Sequence, residues 1–171
     1  MIYIEAPSVY QPTDDVHRPS IFLAGGITGC PDWQQTVVDI LSTADAVVFN
    51  PRRADFPIGD PGAAAEQITW EYRALWDADL ILFWFPAGQA LQPIALYELG
   101  AHRDDYRIVV GTDPGYPRAI DVRMQLKLAR PGLTVHDTLS ATVMAALMKL
   151  DREWPGTWKG NDMVAPASPV V

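Results

Sequence analysis

Five nearly unbroken apolar runs, each followed by a stretch of helical periodicity, leave this chain few folds to choose from. The runs fall at 20–24, 46–50, 80–85, 107–112 and 133–136, and the helical stretches at 32–43, 63–76, 93–103, 117–129 and 140–152. A strand exposed on one face alternates apolar and polar residues, whereas a run that is apolar at successive positions is covered on both faces, as in a parallel sheet. Strand and helix alternating in this way predict a doubly wound α/β fold: a parallel five-stranded sheet with helices on both faces. Counting from the run at 20–24, the predicted strand order is 2-1-3-4-5. A length of 171 residues with 49% hydrophobic content suits one core.

The ends read differently from the middle. Residues 1–19 form an N-terminal extension: 1–6 has the character of a sheet-edge strand, and a polar loop carrying Pro7, Pro12 and Pro19 follows. Residues 20–153 make the domain proper. Residues 154–171, with Pro155, Gly156, Gly160, Pro166 and Pro169, read as a tail without regular structure. Trp154 and Trp158 predict that this tail packs against its own domain or a neighbouring subunit.

Charge and cysteine content narrow the function. A net charge of −8 opposes a general grip on nucleic acid phosphates and favours a small neutral or weakly charged substrate. Cys30 is the single cysteine, so neither an internal disulfide nor a multi-cysteine metal centre is expected, and a cytoplasmic location is. No stretch approaches the ~18 uninterrupted apolar residues of a membrane span, and no export signal is read at the N-terminus. His17, His102 and His136 are scattered without metal-ligand spacing, so no metal and no cofactor are expected.

In open parallel sheets ligands bind beyond the carboxyl ends of the strands, where strand order reverses. The polar residues and glycines of this chain gather there: Gly25, Gly26, Ile27 and Thr28 after the first run, Asn50, Arg52 and Arg53 after the second, Gln92 after the third. The glycines do not form GxGxxG, nor does a P-loop follow. Gly25 and Gly26 suit close approach of a flat ligand, or equally a tight strand-to-helix turn. Arg52 and Arg53 suit a phosphate or a solvated loop. Asp77 and Asp79 precede the third run, about 20 Å from the rim, and read as helix-end and turn residues. His102 reads as a satisfied surface histidine, and Cys30 as structural.

Glu98 carries the strongest chemical signal. It lies one turn into a helix that follows the most hydrophobic run, and shares its face with Ile94, Ala95, Ala101 and His102. A carboxylate on an apolar stripe is costly, and the positive end of the helix offsets part of that cost and favours the ionised form at neutral pH. Ionised and dry, it is a competent nucleophile. A solvated glutamate on a slightly rotated helix fits the same spacing.

Four segments taken together resemble the nucleoside 2-deoxyribosyltransferase-like family: residues 21–28 (IFLAGGIT), 50–53 (NPRR), 67–72 (QITWEY) and 97–100 (YELG). The resemblance spans about residues 20–130 and implies a flavodoxin-like fold and cleavage of the N-glycosidic bond of nucleosides or nucleotides. It implies that Glu98 is the nucleophile that forms a glycosyl-enzyme intermediate, and that Glu71 is the acid that handles the departing base. Gln92 stands where an aspartate often binds a sugar hydroxyl, a bond an amide can also make. Phe22 stands where a tyrosine is common, and Asp121 lies roughly where a neighbouring subunit contacts the sugar; a salt-bridged helix residue is the other reading of Asp121.

By the logic of retaining glycosidases the two carboxyl groups would then stand roughly 5 to 5.5 Å apart. Nucleotide-cleaving relatives usually carry an arginine in the first loop and a serine near the nucleophile to hold a 5′-phosphate; this chain has Thr28 and no serine close before Glu98, so the resemblance implies nucleosides over nucleotides, with water or a free acceptor base taking the sugar. A phosphoribohydrolase of the cytokinin-activating type is disfavoured by the lack of PGGxGTxxE, and a noncatalytic nucleotide-sensing module is the alternative from another class. Six tryptophans in so small a chain predict a homo-oligomer.

Overall fold

The structure, a computed structural model, describes residues 1–12 and 16–158. Six parallel strands form one sheet: β1 (Ile2–Glu5), β2 (Ser20–Gly25), β3 (Val47–Asn50), β4 (Leu80–Phe85), β5 (Ile108–Thr112) and β6 (Val135–His136). Their spatial order is β1-β3-β2-β4-β5-β6. The five predicted runs are β2 to β6, and they pair in the predicted order. The sheet has one strand more than predicted because β1 adds outside β3, with Ile2 opposite Val47 and Glu5 opposite Asn50.

The helices are α1 (Trp33–Ile40), α2 (Pro61–Asp77), α3 (Pro93–His102), α4 (Ala119–Ala129) and α5 (Leu139–Glu153). Their starts follow local chemistry. Asp32 caps α1 by accepting from the Gln35 amide at 3.0 Å, Asp60 caps α2 ahead of Pro61, and Thr138 caps α5. The predicted first helix ends early, at Ile40, and tightens into a 3-10 turn over Leu41–Thr43.

Successive side chains of a strand point to opposite faces, and the runs sort accordingly. Ile21, Leu23, Leu80, Leu82 and Trp84 pack beneath α1 and α5. Phe22, Ala24, Ile81, Phe83 and Phe85 pack beneath α2, α3 and α4. All six residues of β4 are buried, which is why that run has no polar position. This sorting puts α2 and α3, the helices that carry Glu71 and Glu98, on the same face. Strand order reverses between β2 and β4, opening a crevice beyond Gly25 and Phe85.

The ends are tied in by side chains. Trp154 and Trp158 pack against the α1–α5 core, and the Thr157 carbonyl accepts from the Asp45 amide at 2.9 Å. The remainder of the predicted tail, 159–171, lies outside the described residues. At the opposite end of the strands from the crevice, Asp79 accepts from both the amide and the hydroxyl of Ser20, each at 2.8 Å. Asp77 ends α2 and Asp79 lies in the bend that follows, where it also cross-links the entries of β2 and β4. No helix among the described residues is long and apolar enough to cross a membrane.

Candidate active site

A cavity of about 410 Å³ fills the crevice. Three segments make its walls: residues 24–28 at the end of β2, residues 90–95 with Glu98 after β4, and Glu71 of α2 with Pro51. Phe22 reaches it from within the sheet. A larger groove of about 720 Å³ runs between α2 and residues 7–12 and 16–18, down to Ser20 and Asp79. Two of the acidic groups there have partners: Asp79 takes Ser20 and stands 3.4 Å from His17, and Glu66 stands 3.4 Å from Arg53. Of these two cavities among the described residues, the smaller brings two carboxyl groups, Glu71 and Glu98, together with no Lys, Arg or His in its walls.

Glu98 sits where α3 turns from sheet to opening, between buried Ala95 and exposed Ile94. Burial, together with the nearby charge of Glu71, pushes its carboxyl up to about 8. This corrects the expectation of an ionised Glu98 at neutral pH. The positive end of α3 acts against the loss of water and a second carboxylate, and those two effects prevail. Glu71 is likewise raised by burial, while a 2.8 Å hydrogen bond from Gln67 Nε2 pulls the other way. The same Gln67 nitrogen donates to the Pro51 carbonyl at 2.7 Å, which holds the Glu71 side chain at the cavity although it lies in the middle of α2.

Among the buried side chains of the described residues, Gln92 has the most unspent bonding capacity. It is 8% exposed, and neither amide atom of its side chain has a hydrogen-bond partner. Its backbone is left-handed, φ 50°, an uncommon conformation for a non-glycine residue that costs on the order of 1–2 kcal/mol. That turn starts α3 at Pro93 and sends the side chain into space left by Gly26: a Cβ on Gly26 would lie 2.5 Å from the Gln92 amide carbon and also strike the Cys30 sulfur. Gly25 is needed for a different reason, since a Cβ there would meet the Trp84 carbonyl and the Trp33 ring. Ile27 and Thr28 complete that wall.

Three sequence candidates have other surroundings. Asn50 is buried, donating to the Tyr3 hydroxyl and accepting from the Arg52 amide, both at 2.9 Å. Arg52 turns onto the loop after β2 and contributes no lining to the cavity. Asp121 pairs with Arg118 at 3.0 Å on α4, outside the cavity walls of the single chain. His102, read as a surface residue, is buried, 3.5 Å from the Asp105 carboxylate with its ring against Trp76. Among the described residues no three His, Cys, Asp or Glu side chains converge as a metal site.

Sequence reasoning passed over the residues that hold the walls. Trp33 Nε1 donates to the Gly26 carbonyl at 3.0 Å, fully buried Gln34 donates to it at 3.4 Å, and the Tyr116 hydroxyl braces the Leu91 carbonyl at 2.7 Å. The available signal was a glutamine and a tryptophan directly after a capped helix start, beside the glycine loop.

A parallel α/β sheet with helices on both faces and a pocket at its switch point defines a flavodoxin-like fold, and two carboxyl groups line that pocket. The chain belongs to the nucleoside 2-deoxyribosyltransferase-like family, whose model matches residues 18–116. That span holds Gly25, Gly26, Glu71, Gln92 and Glu98. No curated protein matches the chain. The family points to nucleosides as substrates and to N-glycosidic chemistry.

Proposed function

We propose that this protein cleaves or transfers the N-glycosidic bond of unphosphorylated (2′-deoxy)nucleosides, with Glu98 attacking the anomeric carbon and Glu71 serving the departing base. The observation that carries this reading is the pair of sequestered carboxyl groups facing one cavity. Burial raises both carboxyls and the charge of Glu71 raises Glu98 further, so Glu98 holds a proton near neutral pH and must give it up before it attacks, while Glu71 serves the base by hydrogen bonding. A glutamyl-sugar intermediate would then pass to water or to an acceptor base. Gln92 supplies a donor and an acceptor for a sugar hydroxyl, and Gly25, Gly26 and Ile27 form a wall where the base can lie flat.

The cavity walls contain no Lys, Arg or His among the described residues, and two carboxyl groups repel an anion. Both features support nucleosides over monophosphates. Asn50 supports the reading through the backbone it fixes. A homo-oligomer is part of the proposal: Ile68, Tyr72 and Trp76 on α2, and Ile120, Met124 and Leu128 on α4, leave exposed apolar stripes at four-residue spacing. In such an assembly Asp121 could reach a neighbouring pocket. A cytoplasmic nucleoside enzyme needing no cofactor fits these features.

The test is incubation with a panel of deoxy- and ribonucleosides and their monophosphates, with and without free base, followed by separation of products. Release or exchange of base from nucleosides, abolished in Glu98→Gln, supports the reading. Thermal stabilisation by nucleosides with no product, in wild type, would make the protein a sensing module instead. Faster turnover of monophosphates would overturn the substrate class.

A further inference from the structure

We propose that Arg52 is a positioning residue that clamps the loop at residues 25–31 into the wall of the nucleoside pocket, and is not a ligand for substrate; the inference rests on the pocket being a nucleoside site. Two of the three guanidinium nitrogens, Nε and Nη2, are engaged by the protein itself. Its Nε donates to Gln34 Oε1 at 2.9 Å and lies 3.3 Å from the Asp32 carboxylate. Its Nη2 donates to the carbonyls of Pro31 at 2.9 Å, Ile27 at 3.2 Å and Cys30 at 3.4 Å. The loop therefore wraps its acceptors around one cation.

Both sides of that cation are anchored. On the sheet side, Asn50 Oδ1 accepts from the Arg52 amide, Asn50 Nδ2 donates to the Tyr3 hydroxyl, and that hydroxyl donates to Glu5 at 3.1 Å. On the pocket side, Gln34 takes the Arg52 hydrogen bond on its oxygen and passes one from its nitrogen to the Gly26 carbonyl. Gly26 in turn leaves Gln92 its space, with so little clearance that a Cβ would stand 2.5 Å away. A chain of hydrogen bonds thus runs from β1 through Arg52 to the Gly26 carbonyl, and Gly26 packs against Gln92, the side chain expected to read the sugar. Only a planar fork with several N–H groups can face four separate acceptors; a lysine is a point charge on a flexible stem. The same wrapping keeps the arginine off the cavity wall, which leaves the pocket without a cation.

Hydrogen–deuterium exchange at residues 25–31, read beside nucleoside kinetics, tests this in wild type, Arg52→Lys and Arg52→Ala, with Arg53→Lys as control. Both Arg52 variants should speed exchange of the loop amides about tenfold while β4 stays protected, and should raise KM for a nucleoside about tenfold with kcat within about threefold. Arg53, held by Glu66 and Phe56, should leave both readouts unchanged. Wild-type exchange in Arg52→Lys would overturn the clamp, because charge alone would then suffice. So would a defect confined to nucleoside monophosphates, which would make Arg52 a phosphate ligand. If wild type neither binds nor cleaves nucleosides, the functional reading fails while the exchange measurement still decides the clamp.

Discussion

Replacing Glu98 by glutamine should stabilise the protein at alkaline pH while removing its chemistry. The unfolded carboxyl titrates near 4.5 and the folded one near 8. A raised folded value means that the ionised side chain is tolerated less well in the native state. Wild type therefore carries no penalty from this group below about pH 4.5, loses stability progressively as pH climbs to about 8, and loses no more above it. At 1.36 kcal/mol per unit the full penalty has a ceiling of ~5 kcal/mol. Water entering the open side of the pocket reduces that, and about 2–3 kcal/mol is the working figure. For a chain of this size the figure corresponds to roughly 5–10 °C in melting temperature.

Urea denaturation of wild type and Glu98→Gln at pH 5, 7 and 9 reads the effect directly. Every other titrating group is common to both proteins, so the difference between the two curves isolates residue 98 and its coupling to Glu71. The variant should gain about 2–3 kcal/mol on wild type between pH 5 and pH 9. Parallel curves across that range would refute the picture of a sequestered carboxyl.

Three further outcomes follow from the same geometry. If Glu98 must be ionised to attack, kcat/KM for a nucleoside should climb with pH toward about 8, and Glu71→Gln, by removing a neighbouring negative charge, should move that acidic limb to lower pH in whatever activity it retains. Gly26→Ala should destabilise by about 1–3 kcal/mol in chemical denaturation and weaken nucleoside binding, because the methyl group displaces Gln92 and Cys30. Asp79→Ala should destabilise by about 1–3 kcal/mol through the unpaired Ser20 groups while leaving the KM for a nucleoside unchanged, since Asp79 lies at the far end of the strands.

The residues that line the candidate cavity were in part legible in the chain. Glu98 on an apolar helix face after the most hydrophobic run, and glycines after the first run, place the cavity without coordinates. The ionisation state of Glu98 was not legible. It depends on how far α3 rolls toward the sheet and on a second carboxyl contributed by α2, 27 positions earlier in the chain. Arg52 shows the same limit, since an arginine in a rim loop looks available to ligand until its acceptors, which come from residues 27, 30, 31 and 34, are brought around it.

Local periodicity and burial demand settled the strands and the helices, because a strand with no polar face has to be covered twice and each crossover between such parallel strands has room for a helix. Pairing across elements was decided only in three dimensions. Which glutamate meets which, whether Gln92 has a partner, and where the Arg52 fork points are all set by contacts between segments distant in sequence. The free energy of a carboxyl or an amide is fixed by the atoms around it, and those atoms are assembled by the fold.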